Sequence, residues 1–414
     1  MKNNKISVAI SILVCLLSLN VSARDEGEVG KQLTSKKTKK AAKNSKDRLS
    51  FESKLSLGSD NNVFKTPSSS YVDPTTGLTT KNNPTSGFFF NPDLTLSYAL
   101  IHNDKNKLAV EYNFDGVFYG GNAKVSNASG NDQMFKIDSK VDFINYKESS
   151  GLQRVQLNSD IYQSFHNYSY FHRGTGDKRV TITSSTNQED RYAHNETGLG
   201  IEPEISFSTG TKTSVSLKYF KRDYEDITGL QSFDRSGLVY GLNLSQKIRN
   251  DWAVRLTYES EAVKYDRYKA SNVTGSTVNG TIRKYQDDEL GLKFNYDTDG
   301  FFGSLGYKKL ERDDKYAGYW SYDQDKTSLD LGYNVSKNSN VSVGVTTTRR
   351  DYAHETNSLG NIRSRETQVY DLSLEKEEKW GKVSLNFDYT SQSDTDPYYS
   401  YRKIVAMLGY EREF

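Results

Sequence analysis

The chain has 414 residues, 55 basic and 53 acidic, a formal net charge of +2 and a mean hydropathy of −0.76. That hydropathy and the lack of any later apolar run of transmembrane length exclude a helical membrane protein. With only 6 prolines and as many as 29 tyrosines, the chain is not a disordered polar one either. Tyrosine and the β-branched residues favour strands, and a barrel wall reconciles strands with low hydropathy, because every second residue faces water and masks the apolar ones.

In chain order, residues 1–23 read as a secretory signal peptide. Lys2 and Lys5 form the charged region, Ile6 to Val21 the apolar region, and Val21-Ser22-Ala23 the small-residue cleavage site. The apolar stretch is short for a membrane anchor, and Val14 before Cys15 does not suit a lipoprotein site. Cleavage after Ala23 leaves a chain without cysteine and with no net charge. Residues 24–47 hold eight basic and four acidic groups around Lys36-Lys37-Thr38-Lys39-Lys40 and lack an apolar period, so a flexible periplasmic tail is expected.

From residue 48 to 414 strands and connections repeat about every twenty-three residues. Leu49, Phe51, Leu55 and Leu57 alternate with Ser50, Glu52, Lys54 and Ser56. The same period recurs through Leu94-Leu96-Tyr98, Leu238-Tyr240-Leu242-Leu244, Trp252-Val254-Leu256-Tyr258 and finally Ile404-Ala406-Leu408-Tyr410. Nine or so residues of period two cross the hydrocarbon layer when tilted. Lys136, Asp138, Lys140 and Asp142 fill the gaps of one strand, and such charges must face a wet lumen.

Short connections near 102–106, 146–150, 209–212, 249–251, 298–300, 337–340 and 377–381 alternate with long ones at 58–87, 119–131, 167–190, 225–234, 266–284, 311–324, 352–364 and 392–400. Fifteen connections join sixteen strands. The expected fold is therefore an all-β transmembrane antiparallel barrel in the outer membrane, with short periplasmic turns and long extracellular loops. Outer-membrane lipid and lipopolysaccharide are its expected surroundings. The terminal Phe414 resembles the signal by which outer-membrane assembly machinery recognises its clients, except that Arg412 stands at an outward position where an apolar residue is usual.

Arginine recurs beside tyrosine and aspartate at the strand mouths: Lys221-Arg222-Asp223-Tyr224, Tyr265-Asp266-Arg267-Tyr268, Arg312-Asp313-Asp314 and Arg349-Arg350-Asp351-Tyr352. Returning strands begin at Arg235, Arg283 and Arg365. Strand parity carries Arg222, Arg235, Arg267, Arg283, Arg312, Arg350 and Arg365 to the lumen side, with Tyr224, Tyr265 and Tyr352. Guanidinium forks bind carboxylate, phosphate or sulfate, and tyrosine faces stack on sugars, so a collar for an anionic or sugar-rich solute is expected. The competing reading pairs these arginines with Asp223, Asp313 and Asp351 or with lipopolysaccharide phosphates.

Two similar segments carry histidine, Arg191-Tyr192-Ala193-His194-Asn195-Glu196-Thr197 and Asp351-Tyr352-Ala353-His354-Glu355-Thr356. Catalysis needs a serine or acid fixed beside a histidine, and sequence alone places none, so no enzyme is expected. There is no metal-ligand spacing or phosphate loop, hence no cofactor and no nucleic-acid partner is expected.

Leu57-Gly58-Ser59-Asp60-Asn61-Asn62-Val63-Phe64 resembles the opening of outer-membrane barrels associated with exopolysaccharide or capsule production, which also repeat arginine-aspartate-tyrosine at strand mouths. The resemblance implies a channel for export or passage of a surface polysaccharide. A general or sugar-selective diffusion porin is the alternative. A filled barrel acting as an adhesin is another, with Tyr168, Tyr170 and Phe171 as its display loop.

Overall fold

The computed structural model describes residues 48–73, 77–103, 105–121, 123–145, 151–167, 171–177, 190–227, 229–357 and 360–414; the segments expected to be a signal peptide and a basic tail lie outside these. Alternation of apolar and polar residues produces strands β1 (Leu49–Asp60), β2 (Tyr71–Val72), β3 (Thr79–Thr80), β4 (Gly87–His102), β5 (Asn106–Gly120) and β6 (Gly130–Asn145). They are followed by β7 (Leu152–Asn167), β8 (His194–Phe207), β9 (Thr211–Tyr224), β10 (Arg235–Lys247), β11 (Trp252–Tyr265) and β12 (Lys284–Asp297). The last are β13 (Phe301–Asp314), β14 (Tyr322–Ser336), β15 (Ser339–Thr356), β16 (Ile362–Glu378), β17 (Gly381–Asp394) and β18 (Tyr401–Glu413). All but the small β2–β3 pair close into one antiparallel barrel of sixteen strands, sealed where Leu55 of β1 stands opposite Tyr410 of β18.

Period two fixes which way each side chain points. Leu238, Tyr240, Leu242 and Leu244 are exposed on the outer face of β10, and register sets Leu244 beside Leu256 and then Leu292. Such an apolar exterior demands lipid. Aromatic rings gather near the short-turn end: Trp252 on Tyr296 at 4.6 Å, Tyr296 on Phe301 at 5.9 Å and Trp380 on Tyr410 at 5.5 Å. Outward tyrosines recur nearer the long loops, as Tyr240 with Tyr258 and Tyr370 with Tyr389. An apolar belt between aromatic girdles on a closed barrel is the outer-membrane arrangement, and the protein crosses that membrane with strands. Phe414 stacks on Phe51 at 5.8 Å across the closure, and the Arg412 guanidinium lies 4.5 Å from the Phe414 ring, which accommodates the unusual outward arginine at the interface.

The alternation of short and long connections holds, with 314→322 and 356→362 tighter than expected because β13 and β15 run further. The connection at 146–150 lies outside the described residues. This topology predicts that Asn279→Cys, exposed in the loop before β12, reacts with an impermeant thiol reagent on intact cells, while Asp299→Cys, in the turn before β13, does not. The reverse pattern would invert the barrel.

At the long-loop end part of the mouth is covered. Val63, Phe64 and Val125 form a buried cluster with Tyr119 and Phe171, and Tyr71 packs on Tyr398 at 5.4 Å. Phe64 comes so close to Gly176, which has φ +69°, that a Cβ there would lie 2.3 Å from the ring. Beneath the cluster, Lys403 and Asp60 form a buried pair at 2.6 Å, and the Tyr119 hydroxyl donates to Asp60 at 2.7 Å. Phe171 thus packs against Phe64 (5.2 Å) rather than standing out for display; Tyr168 and Tyr170 lie outside the described residues. The aromatics expected of an adhesin loop are not presented by the one that is described.

Candidate functional site

The uncovered part of the mouth is lined by arginine and tyrosine from β9 to β16. Each sits on the lumen side because its strand's outward positions are occupied by the apolar residues below it. The side chains alternate around the wall. Arg235 lies 5.6 Å from the rings of both Tyr224 and Tyr265. Arg283 lies 4.5 Å from Trp320 and 5.4 Å from Tyr265. Arg312 lies 4.0 Å from Tyr285 and 4.9 Å from Tyr322. Arg350 covers Tyr322 at 4.3 Å, and Arg363 covers Tyr399 at 3.9 Å, with Arg365 on the same ring at 5.4 Å. Desolvated guanidiniums over aromatic faces gain on the order of 1–2 kcal/mol each, so the belt is held as one piece.

Carboxylates satisfy some of these cations. Arg222 pairs with Glu196, and Arg312 grips Asp287 with two bonds of 2.7 and 2.5 Å. Arg363 and Arg365 both donate to Asp394 at 2.9 Å, and Arg363 also pairs with Glu355. Arg350 instead donates to the Gln324 side-chain oxygen at 3.0 and 2.7 Å, and Arg235 to the Tyr265 hydroxyl at 2.9 Å. Among the described residues Arg235, Arg283 and Arg350 form no ion pair, and the Nε atoms of Arg235 and Arg283 are buried without an acceptor. The acids expected as partners pair elsewhere: Asp223 with Lys221, Asp313 with Lys315 and Asp351 with Arg349. Being sequence neighbours of the lumen arginines, they point to the opposite face.

Six of the seven expected arginines, Arg222, Arg235, Arg283, Arg312, Arg350 and Arg365, meet in the belt. Arg267 does not: it lies beyond the end of β11, 70% exposed, at 3.8 Å from Asp226 in another loop. Tyr224, Tyr265 and Tyr352 do face inward, but their rings are covered by guanidiniums, and Tyr265 and Tyr352 are buried. Faces so occupied are not open for stacking sugars. Sequence reading missed Arg363, two residues before Arg365 and therefore on the same face, together with Tyr285, Tyr322 and Trp320. Glu355 reaches inward to Arg363 because a register shift between Asp351 and Thr356 breaks the alternation at the rim.

A second feature faces the belt. Register aligns Asp93 of β4, Asp115 of β5 and Asp132 of β6 along the inner wall. β5 and β13 are eight places apart in a ring of sixteen, so acids stand across the lumen from the Arg312 region. In the loop above β9, burial and the neighbouring Asp190 hold the Glu225 carboxyl above its usual range.

The two histidine segments part company. His354 is exposed, whereas His194 turns inward and stacks on His166 at 4.3 Å and on Tyr224 at 4.6 Å. Ser164 and Asp132 both contact His166, at 2.9 and 2.8 Å.

No protein-family model matches the chain, and no curated protein does. Solved structures do. OccAB1 of Acinetobacter baumannii is similar with TM-score 0.47 at 9% identity, covering 90% of this chain and 99% of that one. A BenF-like porin from Pseudomonas fluorescens Pf-5 is similar with TM-score 0.46 at 9% identity, over 89% and 99%. OmpT of Vibrio cholerae with loop L8 deleted is similar with TM-score 0.42 at 13% identity, over 88% and 100%. The resemblance to exopolysaccharide-associated barrels finds no support among these. The expectation that the chain is not an enzyme is corrected as well. OmpT barrels stand among the similar structures, and the ground for that expectation is gone, since Ser164, two residues away on β7, and Asp132, across the β6–β7 pair, both lie beside His166.

Proposed function

We propose that the protein is an outer-membrane diffusion channel that favours small anionic solutes, with the arginine–tyrosine belt as its filter. A sixteen-stranded barrel is wide enough to enclose an aqueous path. The observation that carries the reading is the set of belt cations, Arg235, Arg283 and Arg350, that form no ion pair with a carboxylate among the described residues. Guanidiniums already fixed over rings lose little freedom on meeting a carboxylate or phosphate, and their fork suits both. The acids across the lumen add a transverse field that orients a dipolar solute. Small solutes are favoured over a polymer because the cluster around Phe64 and Tyr71 narrows the mouth, and the ring faces a glycan would stack on are taken.

In planar bilayers the purified protein is expected to prefer chloride to potassium. An Arg235→Gln, Arg350→Gln double variant is expected to lower that preference roughly two-fold, and high salt to erase the difference through screening. Acidic polysaccharide and a small dicarboxylate are compared as blockers. Block by the polysaccharide alone would favour the polymer, and unchanged selectivity in the double variant would leave the arginines as rim structure.

A further inference from the structure

At the edge of the belt, β7 and β8 bring two imidazoles and a carboxylate to one spot on the inner wall. His166 and His194 are direct cross-strand partners, so their rings stack with 19° between planes. Glu196 lies two residues along β8 and hence on the same face. Donor atoms of the three side chains all lie within 4.8 Å of one another.

Their hydrogen bonds indicate which nitrogen of each ring carries the proton and which the lone pair. His194 Nδ1 is 2.9 Å from the Tyr192 carbonyl oxygen. A carbonyl only accepts, so Nδ1 carries the proton and Nε2 the lone pair. His166 Nδ1 is 2.8 Å from the Asp132 carboxylate, which imposes the same tautomer, and its Nε2 meets the Ser164 hydroxyl at 2.9 Å. That hydroxyl can rotate away. Imidazoles held by a carboxylate or carbonyl through the far nitrogen are the usual outer arrangement of metal-binding histidines. Glu196 is positioned by the Tyr162 hydroxyl on Oε1 (2.6 Å) and by Arg222 on Oε2. Gly198 gives the tyrosine its room, since a Cβ there would stand 2.4 Å from the ring. Among the described residues, Asp132 and Glu196 bring two carboxylates to the site and Arg222 one guanidinium, and Asp115 stands beside Asp132.

We infer that His166, His194 and Glu196 bind a divalent cation of the zinc, copper or nickel class at the lumen mouth. Two nitrogens and one oxygen suit these metals, whereas calcium and magnesium take oxygen sets. Zinc at about 2.0–2.1 Å from each donor requires the three to draw together by side-chain rotation, with water or solute as the fourth ligand. The site does not depend on the anion belt, although Glu196 joins the two.

Chelator-stripped protein, folded in detergent, is titrated with zinc chloride by calorimetry, with magnesium chloride as control. One zinc per barrel and no magnesium binding are expected. His166→Ala and His194→Ala should each weaken zinc at least about ten-fold. Asp132→Asn should weaken it by a comparable factor without removing a ligand, and serves if an alanine variant does not fold, as judged by heat-modifiable gel migration. With Cu(II) the parent should show nitrogen hyperfine splitting that each alanine variant reduces. Absence of saturable zinc binding, or unchanged affinity in folded His194→Ala or Asp132→Asn protein, overturns the assignment.

Discussion

Asp394→Ala is expected to cost the barrel about 3–5 kcal/mol, because it strands buried charge. The Asp394 side chain is 0% exposed, and it accepts from Arg363 Nη2 and Arg365 Nε, both at 2.9 Å, and from the Asp396 backbone N–H at 2.9 Å. Arg363 is itself 7% exposed, so water cannot replace the lost acceptor fully, and Glu355 remains as its one ion-pair partner among the described residues. Stranding the guanidiniums without any acceptor costs more than replacing the carboxylate by a neutral acceptor, so Asp394→Asn should be less destabilised than Asp394→Ala. Urea unfolding in lipid vesicles measures both. A loss under about 1 kcal/mol in Asp394→Ala would mean that the belt is hydrated enough for its pairs to be dispensable.

Leu256→Arg is expected to cost roughly 2–4 kcal/mol if its depth is near the midplane, and Arg255→Leu far less. Leu256 lies on the outer face in a row with Leu244 and Leu292. Arg255 alternates with it and points to the lumen beside Ser245 and Lys293. The same unfolding assay, read with heat-modifiable migration, compares the two. Equal losses would contradict the inside–outside assignment of β11.

Much of the barrel was legible because its determinants are local. Leu238-Tyr240-Leu242-Leu244 alternates with smaller or polar residues, and a bilayer outside with water inside leaves such a segment one way to face. Connection lengths needed no more than strand ends, which is why the sixteen strands and their short–long order follow from the sequence. Parity also carried Arg222, Arg235, Arg312, Arg350 and Arg365 to the correct side. It failed at Arg267, beyond the last paired residue of β11, and at Glu355, where a register shift at the rim lets the chain depart from period two.

Local patterning therefore specifies the class of fold, the strand count and the sidedness of residues within regular pairing. Everything that depends on which strands are neighbours emerges only in the closed barrel. Glu196 neutralises Arg222 and Asp287 neutralises Arg312 because β8 lies beside β9 and β12 beside β13, while the adjacent Asp223 and Asp313 are turned away. His166 meets His194 and Asp132 only across strand pairs, from positions 28 and 34 residues distant in the chain. The loops between β1 and β4 and between β7 and β8 fold together over the lumen through packing of Phe64 and Phe171, a contact more than a hundred residues apart. Hydrophobic period is written into each strand separately, but cross-strand pairing, loop packing and the charges left uncompensated are properties of the closed barrel.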